Sequence, residues 1–469
     1  MNKFLTSAAA IAILAGTAGM ARAADDVTVN GITFYGTIDV GVTYDTHGVP
    51  ASTIGSVSSY ALVQKQSNHA YFGATENGLS QSKLGIKGAE DLGDGWTGLF
   101  KLEAGISPEG GALTDGLKSL VNNNGYTVIG NSAHPTAYNG YNTAGADSSH
   151  AGQAFARAAY VGISNDKFGT LTIGRQNALE NDLIGSYDPM GGAYAFALIG
   201  FSGTAAGSGS TEDSRWSNSF KYLYSYGPLR LAGMYTAGGT IAARNDTGFG
   251  ADVGFDYAGA SIDGAWTHKK DEVSASPLTA ANVLSLVTAG NISNGLSASN
   301  TLNGSIFDVT AYSVGAKYKY QQFTLFAGFE YIEEKNPSSP LPNGIADIGN
   351  YNLIVNNASL PSEKDLTYVW AGLRYKATDK LDLAGAYYYL HQNQFATAAA
   401  TLTQCGQDTS LSGQCSGDEH VMSIMADYHF SKKFDVYGGV MYSQVLGSQE
   451  NGFIHNNNIA PSAGLRYNF

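Results

Sequence analysis

Apolar and polar residues alternate along most of this chain with a period of two. In the stretch Ala460 to Phe469, Pro461, Ala463, Leu465, Tyr467 and Phe469 share one parity, and Ser462, Gly464, Arg466 and Asn468 share the other. Strict alternation over about ten residues gives one apolar face and one watery face, which is what a strand of a closed transmembrane β-barrel requires. An early segment repeats it, with Phe34, Ile38, Val40 and Val42 set against Thr37, Asp39 and Thr43. A middle segment predicts Trp216, Phe220, Tyr222 and Tyr224 facing out, with Arg215, Ser217, Ser219 and Lys221 facing in. Sixteen segments carry this signature, from Val29–Tyr44 and Gln81–Glu90 to Phe434–Val445 and Ile459–Phe469.

The connections alternate too. Short turns at Asp91-Leu92-Gly93, Asn165-Asp166-Lys167, Tyr226-Gly227-Pro228, Ala258-Gly259, Gln321-Gln322, Thr378-Asp379 and Ser431-Lys432 are interleaved with eight longer polar loops. The third long loop runs from Gln176 to Ser214, and the first from His47 to Gly78. Short turns on one rim and long loops on the other, with an even strand count, predict an all-β fold: a 16-stranded antiparallel transmembrane β-barrel wide enough for an aqueous channel.

Composition agrees with a barrel. Charged residues make up 14% of the chain against a usual ~25%, with 59 Gly and 29 Tyr, and no long uninterrupted apolar run follows the N-terminal region. At the N-terminus, Lys3, the apolar stretch Ala8 to Gly16 and Ala21-Arg22-Ala23 predict a secretory signal peptide over residues 1–23, leaving 24–469 as the barrel. Its removal takes Lys3 and Arg22 and no acid, so the formal charge falls two units below the −13 of the full chain. Such an acidic balance argues against nucleic acid as a partner.

The parity sorts charge inward: Lys83, Lys87, Lys101, Arg215, Arg230, Lys317, Lys319, Arg374 and Arg466 with Asp39, Glu103, Asp252, Asp256, Glu330, Asp382 and Asp427. Charges on the lipid face would cost ~2–4 kcal/mol at the midplane, so they go inward whatever else they do.

Five stretches carry a family resemblance: Ile32-Thr33-Phe34-Tyr35-Gly36-Thr37-Ile38-Asp39, Ser82-Lys83-Leu84-Gly85-Ile86-Lys87-Gly88-Ala89-Glu90-Asp91-Leu92-Gly93, Phe155-Ala156-Arg157-Ala158-Ala159-Tyr160-Val161-Gly162, Phe168-Gly169-Thr170-Leu171-Thr172-Ile173-Gly174-Arg175-Gln176 and Gly464-Leu465-Arg466-Tyr467-Asn468-Phe469. In this order they resemble the trimeric general-diffusion porins of Gram-negative outer membranes. The resemblance implies a homotrimer, a third loop that folds inward to narrow the pore, and a wall-side basic cluster at Lys83, Arg157 and Arg215. Parity supports Lys83 and Arg215 independently, whereas Arg157 shares parity with Val161 and Ile163 and turns inward only through a bulge or as the resemblance implies. Acids Glu180, Asp182 and Asp188 on the third loop would face that cluster, with the apolar segment from Tyr194 to Phe201 packed on the wall. A low-dielectric constriction of this kind focuses the field on passing ions, and the basic positions point to a mild anion preference.

Cys405 and Cys415 lie in one long loop and enter an oxidising compartment, which predicts a disulfide. The nine histidines show no metal-ligand spacing; His420 and His429 are expected at the rim or in the lumen. No nucleophile elbow, phosphate loop or zinc motif is found, so neither an enzyme nor a cofactor or metal is expected. Phe469, Tyr467 and Leu465 resemble the signal read by the outer-membrane assembly machinery. The expected surroundings are outer-membrane lipid, lipopolysaccharide and small hydrophilic solutes and ions. Two other classes remain open: a barrel hydrolase, which needs a rim catalytic site, and a surface adhesin or structural barrel, which needs a plugged lumen.

Overall fold

The computed structural model describes residues 27–48, 60–63, 69–125, 128–129, 137–138, 144–145, 153–198, 212–239, 246–288, 296–342, 344–349, 351–395, 415–450 and 453–469. Sixteen antiparallel barrel strands close on themselves. β1 is Ile32–Gly48; β2 comes in two pieces, His69–Glu76 and Lys83–Gly93; β3 is Trp96–Ser107, β4 Ala158–Asn165 and β5 Gly169–Asn177. β6 is Arg215–Tyr226, β7 Leu229–Thr236, β8 Gly248–Tyr257, β9 Ala260–Ser276, β10 Thr301–Tyr320 and β11 Phe323–Lys335. β12 is Lys364–Lys376, β13 Leu381–Gln392, β14 Gly417–His429, β15 Phe434–Gly447 and β16 Asn457–Asn468. Each strand pairs with the next, and β16 returns to β1 in the register Thr37↔Asn468 to Thr43↔Ser462, so no edge is left open. Phe469 extends that seam by exchanging backbone hydrogen bonds with Gly36.

The alternation predicts most side-chain directions correctly. Phe34, Val42, Phe220, Tyr222, Leu465 and Tyr467 are exposed on the outer face, while Thr37, Asp39, Ser219, Lys221 and Arg466 are buried inside. The turn at Ala258-Gly259 has positive φ at both residues, the conformation that suits the twist of a two-residue hairpin.

Two departures have identifiable causes. Trp216 is buried inside rather than facing lipid, because an extra residue on β6 separates the pairs Gly174↔Ser219 and Gln176↔Trp216. That bulge, with Asn218 at φ +48°, moves Trp216 to the face of Gln176. The second strand also starts earlier than Gln81: it runs from His69, leaves the ladder at Asn77 and rejoins at Lys83. The Asp39 carboxylate accepts the Leu79 and Ser80 N–H groups at 2.9 Å each, and Asn77 Oδ1 accepts the Ser82 N–H at 2.6 Å, which replaces the missing ladder bonds.

Among the described residues three α-helices sit in the long connections: α1 at Gly116–Asn122, α2 at Leu179–Tyr187 and α3 at Ala280–Thr288. α2 belongs to the third loop and lies inside the barrel. From there the loop crosses the inner wall. Trp370 on β12 donates to the Tyr187 carbonyl at 3.0 Å, Arg374 donates to the Pro189 carbonyl at 2.6 Å, and Ser423 on β14 donates to the Phe196 carbonyl at 2.6 Å. Tyr194 and Ala195 then donate to the carbonyls of Asn77 and Gly78 at the break in β2. Two wall glycines make this approach possible. A Cβ on Gly315 would lie 2.5 Å from the Tyr187 ring, and one on Gly372 would lie 2.4 Å from Pro189. The segment from Tyr194 to Leu198 is buried on the wall; residues 199–211 lie outside the described part.

Candidate functional site

Five cations gather on the wall formed by β2 to β6 around a single acid, Glu103 of β3. Lys101 stands 3.2 Å from its carboxylate, Lys83 of β2 stands 4.0 Å away, and Arg157 Nε donates to Oε1 at 2.7 Å. The Tyr35 hydroxyl donates to the other oxygen at 2.8 Å. Arg157 lies one residue before β4, outside the ladder, so strand parity does not bind it. Its backbone N–H also donates to the Glu103 carbonyl, and this pair of contacts turns the side chain inward without any bulge.

Arg175 donates to the Ala156 carbonyl and to Ser217 Oγ, and Arg215 lies within electrostatic reach of both Arg157 and Arg175. Among the described residues the buried Arg215 Nε has no hydrogen-bond partner. Lys87 and Lys101 stand over the Tyr35 ring at 5.2 and 5.9 Å, a cation–π arrangement. Lys83, Arg157 and Arg215 are therefore neighbours on one stretch of wall. Glu103, Lys101 and Arg175 join them, and the sequence reading does not place these three in the cluster.

The acids of the third loop separate. Asp182 is partly exposed; it forms an ion pair with Lys221 of β6 and accepts from Asn177 Nδ2 at 2.9 Å. Glu180 and Asp188, each 1% exposed, turn into the seam between loop and wall, away from the lumen. The reason is helical. Glu180, Leu183, Ile184 and Tyr187 share one face of α2 at spacings of three and four residues, and that face packs on the wall. The pattern is readable as a helix face, but only once a helix is looked for inside a long polar loop.

Burial, and after it the neighbouring Glu330 carboxylate, pushes Glu180 up to about 8. Burial and the Glu330 and Glu180 carboxylates push Glu212 well above the usual carboxylate range. Asp188 is raised by burial, against hydrogen bonds from Tyr388 Oη at 2.5 Å and from the Gly192 and Met190 N–H groups.

A second group of charges lies nearer the short-turn rim. Arg230 contacts Asp256 and reaches Asp263 at 2.8 Å, Tyr187 Oη donates to Asp263 at 2.6 Å, and Lys317 stands 5.1 Å over the Tyr187 ring. Together the two groups make a channel wall that carries its cations on strands and hides most of its loop acids.

Cys415 is buried and disulfide-bonded; Cys405 lies outside the described residues, as do residues 1–26 with the expected signal peptide. Leu465 and Tyr467 share the outer face of β16, and the Phe469 ring stacks with Tyr467 at 6.2 Å.

The sequence profile of the Gram-negative porin family matches residues 8–447. A curated relative, an outer membrane porin protein of Bordetella pertussis, is 29% identical over 200 residues; the match spans 43% of this chain and 40% of that protein's length. Among solved structures, the anion-selective porin from Comamonas acidovorans superposes with a TM-score of 0.57 at 16% identity, covering 93% of this chain and 99% of that one. OmpT of Vibrio cholerae in a trimer form gives 0.50 at 15% identity, covering 93% and 99%.

Proposed function

The chain belongs to the Gram-negative porin family, and we propose that its channel favours anions because the wall cations Lys83, Lys101, Arg157 and Arg215, with buried Arg175 beside them, face the lumen while the loop acids Glu180 and Asp188 do not. The barrel works in the outer membrane as a water-filled pore for passive diffusion of small hydrophilic solutes and ions. The observation that carries the selectivity is the imbalance on this wall, where Lys83, Lys101 and Arg157 share the single carboxylate of Glu103 and Arg215 and Arg175 stand beside them.

Mechanistically, a hydrated anion entering between the third loop and β2–β6 loses part of its solvation. The fixed guanidinium and ammonium groups replace that loss at once, because they are already held in place. Arg157 is fixed by Glu103 and Arg175 by the Ala156 carbonyl, so the cluster has little to reorganise. Lys83 and Lys101, with side chains 23% and 18% exposed, are open to a passing solute. No covalent step is involved in this reading. A homotrimer fits the trimer form of the Vibrio cholerae neighbour, and Phe469 with Tyr467 and Leu465 is the proposed assembly signal. The test is the zero-current potential across a salt gradient, where anion preference is the expected result and cation preference the contrary one.

A further inference from the structure

Beyond the channel, β14 and β15 bring a second constellation together at the short-turn rim. Asp427 and His429 stand on one face near the end of β14, and Asp435 faces them from the start of β15 in the register His429↔Asp435 and Asp427↔Tyr437. All three are buried, at 0%, 5% and 4% exposure. Arg466 of β16 binds the outer oxygens of both acids: its Nε and Nη2 reach Asp435 Oδ2 at 2.8 and 2.6 Å, and Nη2 reaches Asp427 Oδ2 at 3.2 Å.

Both inner oxygens are thereby left converging on one imidazole nitrogen. Asp435 Oδ1 lies 2.6 Å and Asp427 Oδ1 lies 4.0 Å from His429 Nδ1. Asp427 Oδ1 is fully buried and has no hydrogen-bond partner among the described residues. On the far side of the ring, Nε2 points to Asp382 Oδ2 of β13 at 3.0 Å.

We propose that Asp427, His429 and Asp435 form a binding site for a divalent first-row transition metal of the zinc class. A ligand set of one imidazole nitrogen and two carboxylate oxygens suits such an ion. Hard cations such as calcium prefer six or more oxygens. Metal–ligand bonds of ~2.0–2.2 Å need donor atoms roughly 3 to 3.5 Å apart. The pair at 2.6 Å must open a little and the pair at 4.0 Å must close by less than an ångström.

The outer contacts are those of a supported metal site. A carboxylate holding the second ring nitrogen orients a histidine ligand, and Asp382 is in that position. Arg466 keeps both acids turned with one oxygen inward. In the metal-bound form the Nδ1 lone pair is directed at the ion, and Nε2 donates to Asp382. Three carboxylates, one guanidinium, a neutral ring and a dication then sum to zero charge. The metal would tie β14 to β15 directly, and β13 and β16 through Asp382 and Arg466.

The site escapes sequence reading because its ligands come from two strands, at positions 427, 429 and 435, and match no metal spacing.

The test uses the folded barrel without a histidine tag, titrated with Zn²⁺ by calorimetry. One zinc per chain is expected. His429→Gln should lower affinity at least about 100-fold, and Asp382→Asn, which keeps all three ligands, about 10-fold. Excess Ca²⁺ should not displace the zinc. If His429→Gln fails to fold, anomalous diffraction at the zinc edge on the wild-type protein decides, with a peak between Asp427, His429 and Asp435. No binding by the wild type, unchanged binding in His429→Gln, displacement by Ca²⁺, or an anomalous peak elsewhere would each overturn the proposal.

Discussion

The basic wall and the third loop carry charge in opposite ways. On the wall of β2–β6, Lys83, Lys101 and Arg157 reach toward a single shared acid, and their side chains remain 23%, 18% and 11% exposed. On the loop side, Glu180 and Asp188 are sealed between α2 or the residues after it and the strands behind; burial raises both and pushes Glu180 up to about 8. A carboxyl that keeps its proton, as Glu180 does below that value, exerts no monopole field, and the Asp188 carboxylate is covered by Tyr388 and two backbone N–H groups. The comparison teaches that counting charges on facing elements misjudges a pore's field; what matters is which charges remain ionised within reach of the solute.

The largest expected effect comes from the acid that holds the basic wall together. Glu103→Gln leaves Lys83, Lys101 and Arg157 without their shared partner, and breaking a buried ionic network by one member costs about 3–5 kcal/mol. The fraction of barrel that resists unfolding on a denaturing gel at graded temperatures should fall sharply. An unchanged profile would mean that the cluster is held by something else.

Next comes selectivity itself. Replacing Lys83 and Arg215 by Glu reverses two charges within roughly a Debye length of a passing ion. The zero-current potential should then move to cation preference. Lys335→Glu, in an exposed group with Glu333 and Glu363, should hardly move it. Equal shifts in both proteins would remove the constriction from the explanation.

Asp182 is the one third-loop acid that combines exposure with an ion pair, to Lys221, among the described residues. Asp182→Asn should increase anion preference modestly, by less than the double replacement changes it. A smaller effect still concerns pH. The docked loop holds a proton on Glu180 that an undocked loop, with an ordinary value near ~4.3, gives up. Docking is therefore fully favoured below the ordinary value and weakens as pH rises through about 8. Protection of the α2 amides, measured against the intrinsic exchange rate at each pH, should fall between acidic and mildly alkaline pH, and Glu180→Gln should flatten that dependence. The disulfide matters least: replacing Cys405 and Cys415 by Ser should leave the barrel folded, since its closure rests on β1 and β16.

The fold was legible because lipid enforces alternation: Phe220, Tyr222, Leu465 and Tyr467 could be placed outside by parity alone. Where local chemistry breaks the ladder, parity stops informing. Trp216 crosses a bulge, Arg157 lies just off its strand, and the break at 77–82 is organised by a side chain, Asp39, some forty residues away. Glu103 was readable as inward, but its role as the hub depends on strands β2 and β4 flanking β3, a tertiary fact. Glu180 was readable only through the helical period of α2. Residue types and their side of the wall could thus be read from pattern, whereas which loop charges survive folding as charges could not.

The central claim, that the basic wall and not the buried loop acids sets selectivity, is tested most directly by the zero-current potential across a salt gradient for two proteins. These are the wild type and a Glu180→Gln, Asp188→Asn double variant. Anion preference is expected in the wild type, and the same potential in the variant. Cation preference in the wild type, or a variant shift as large as that of the Lys83 and Arg215 replacement, would contradict it.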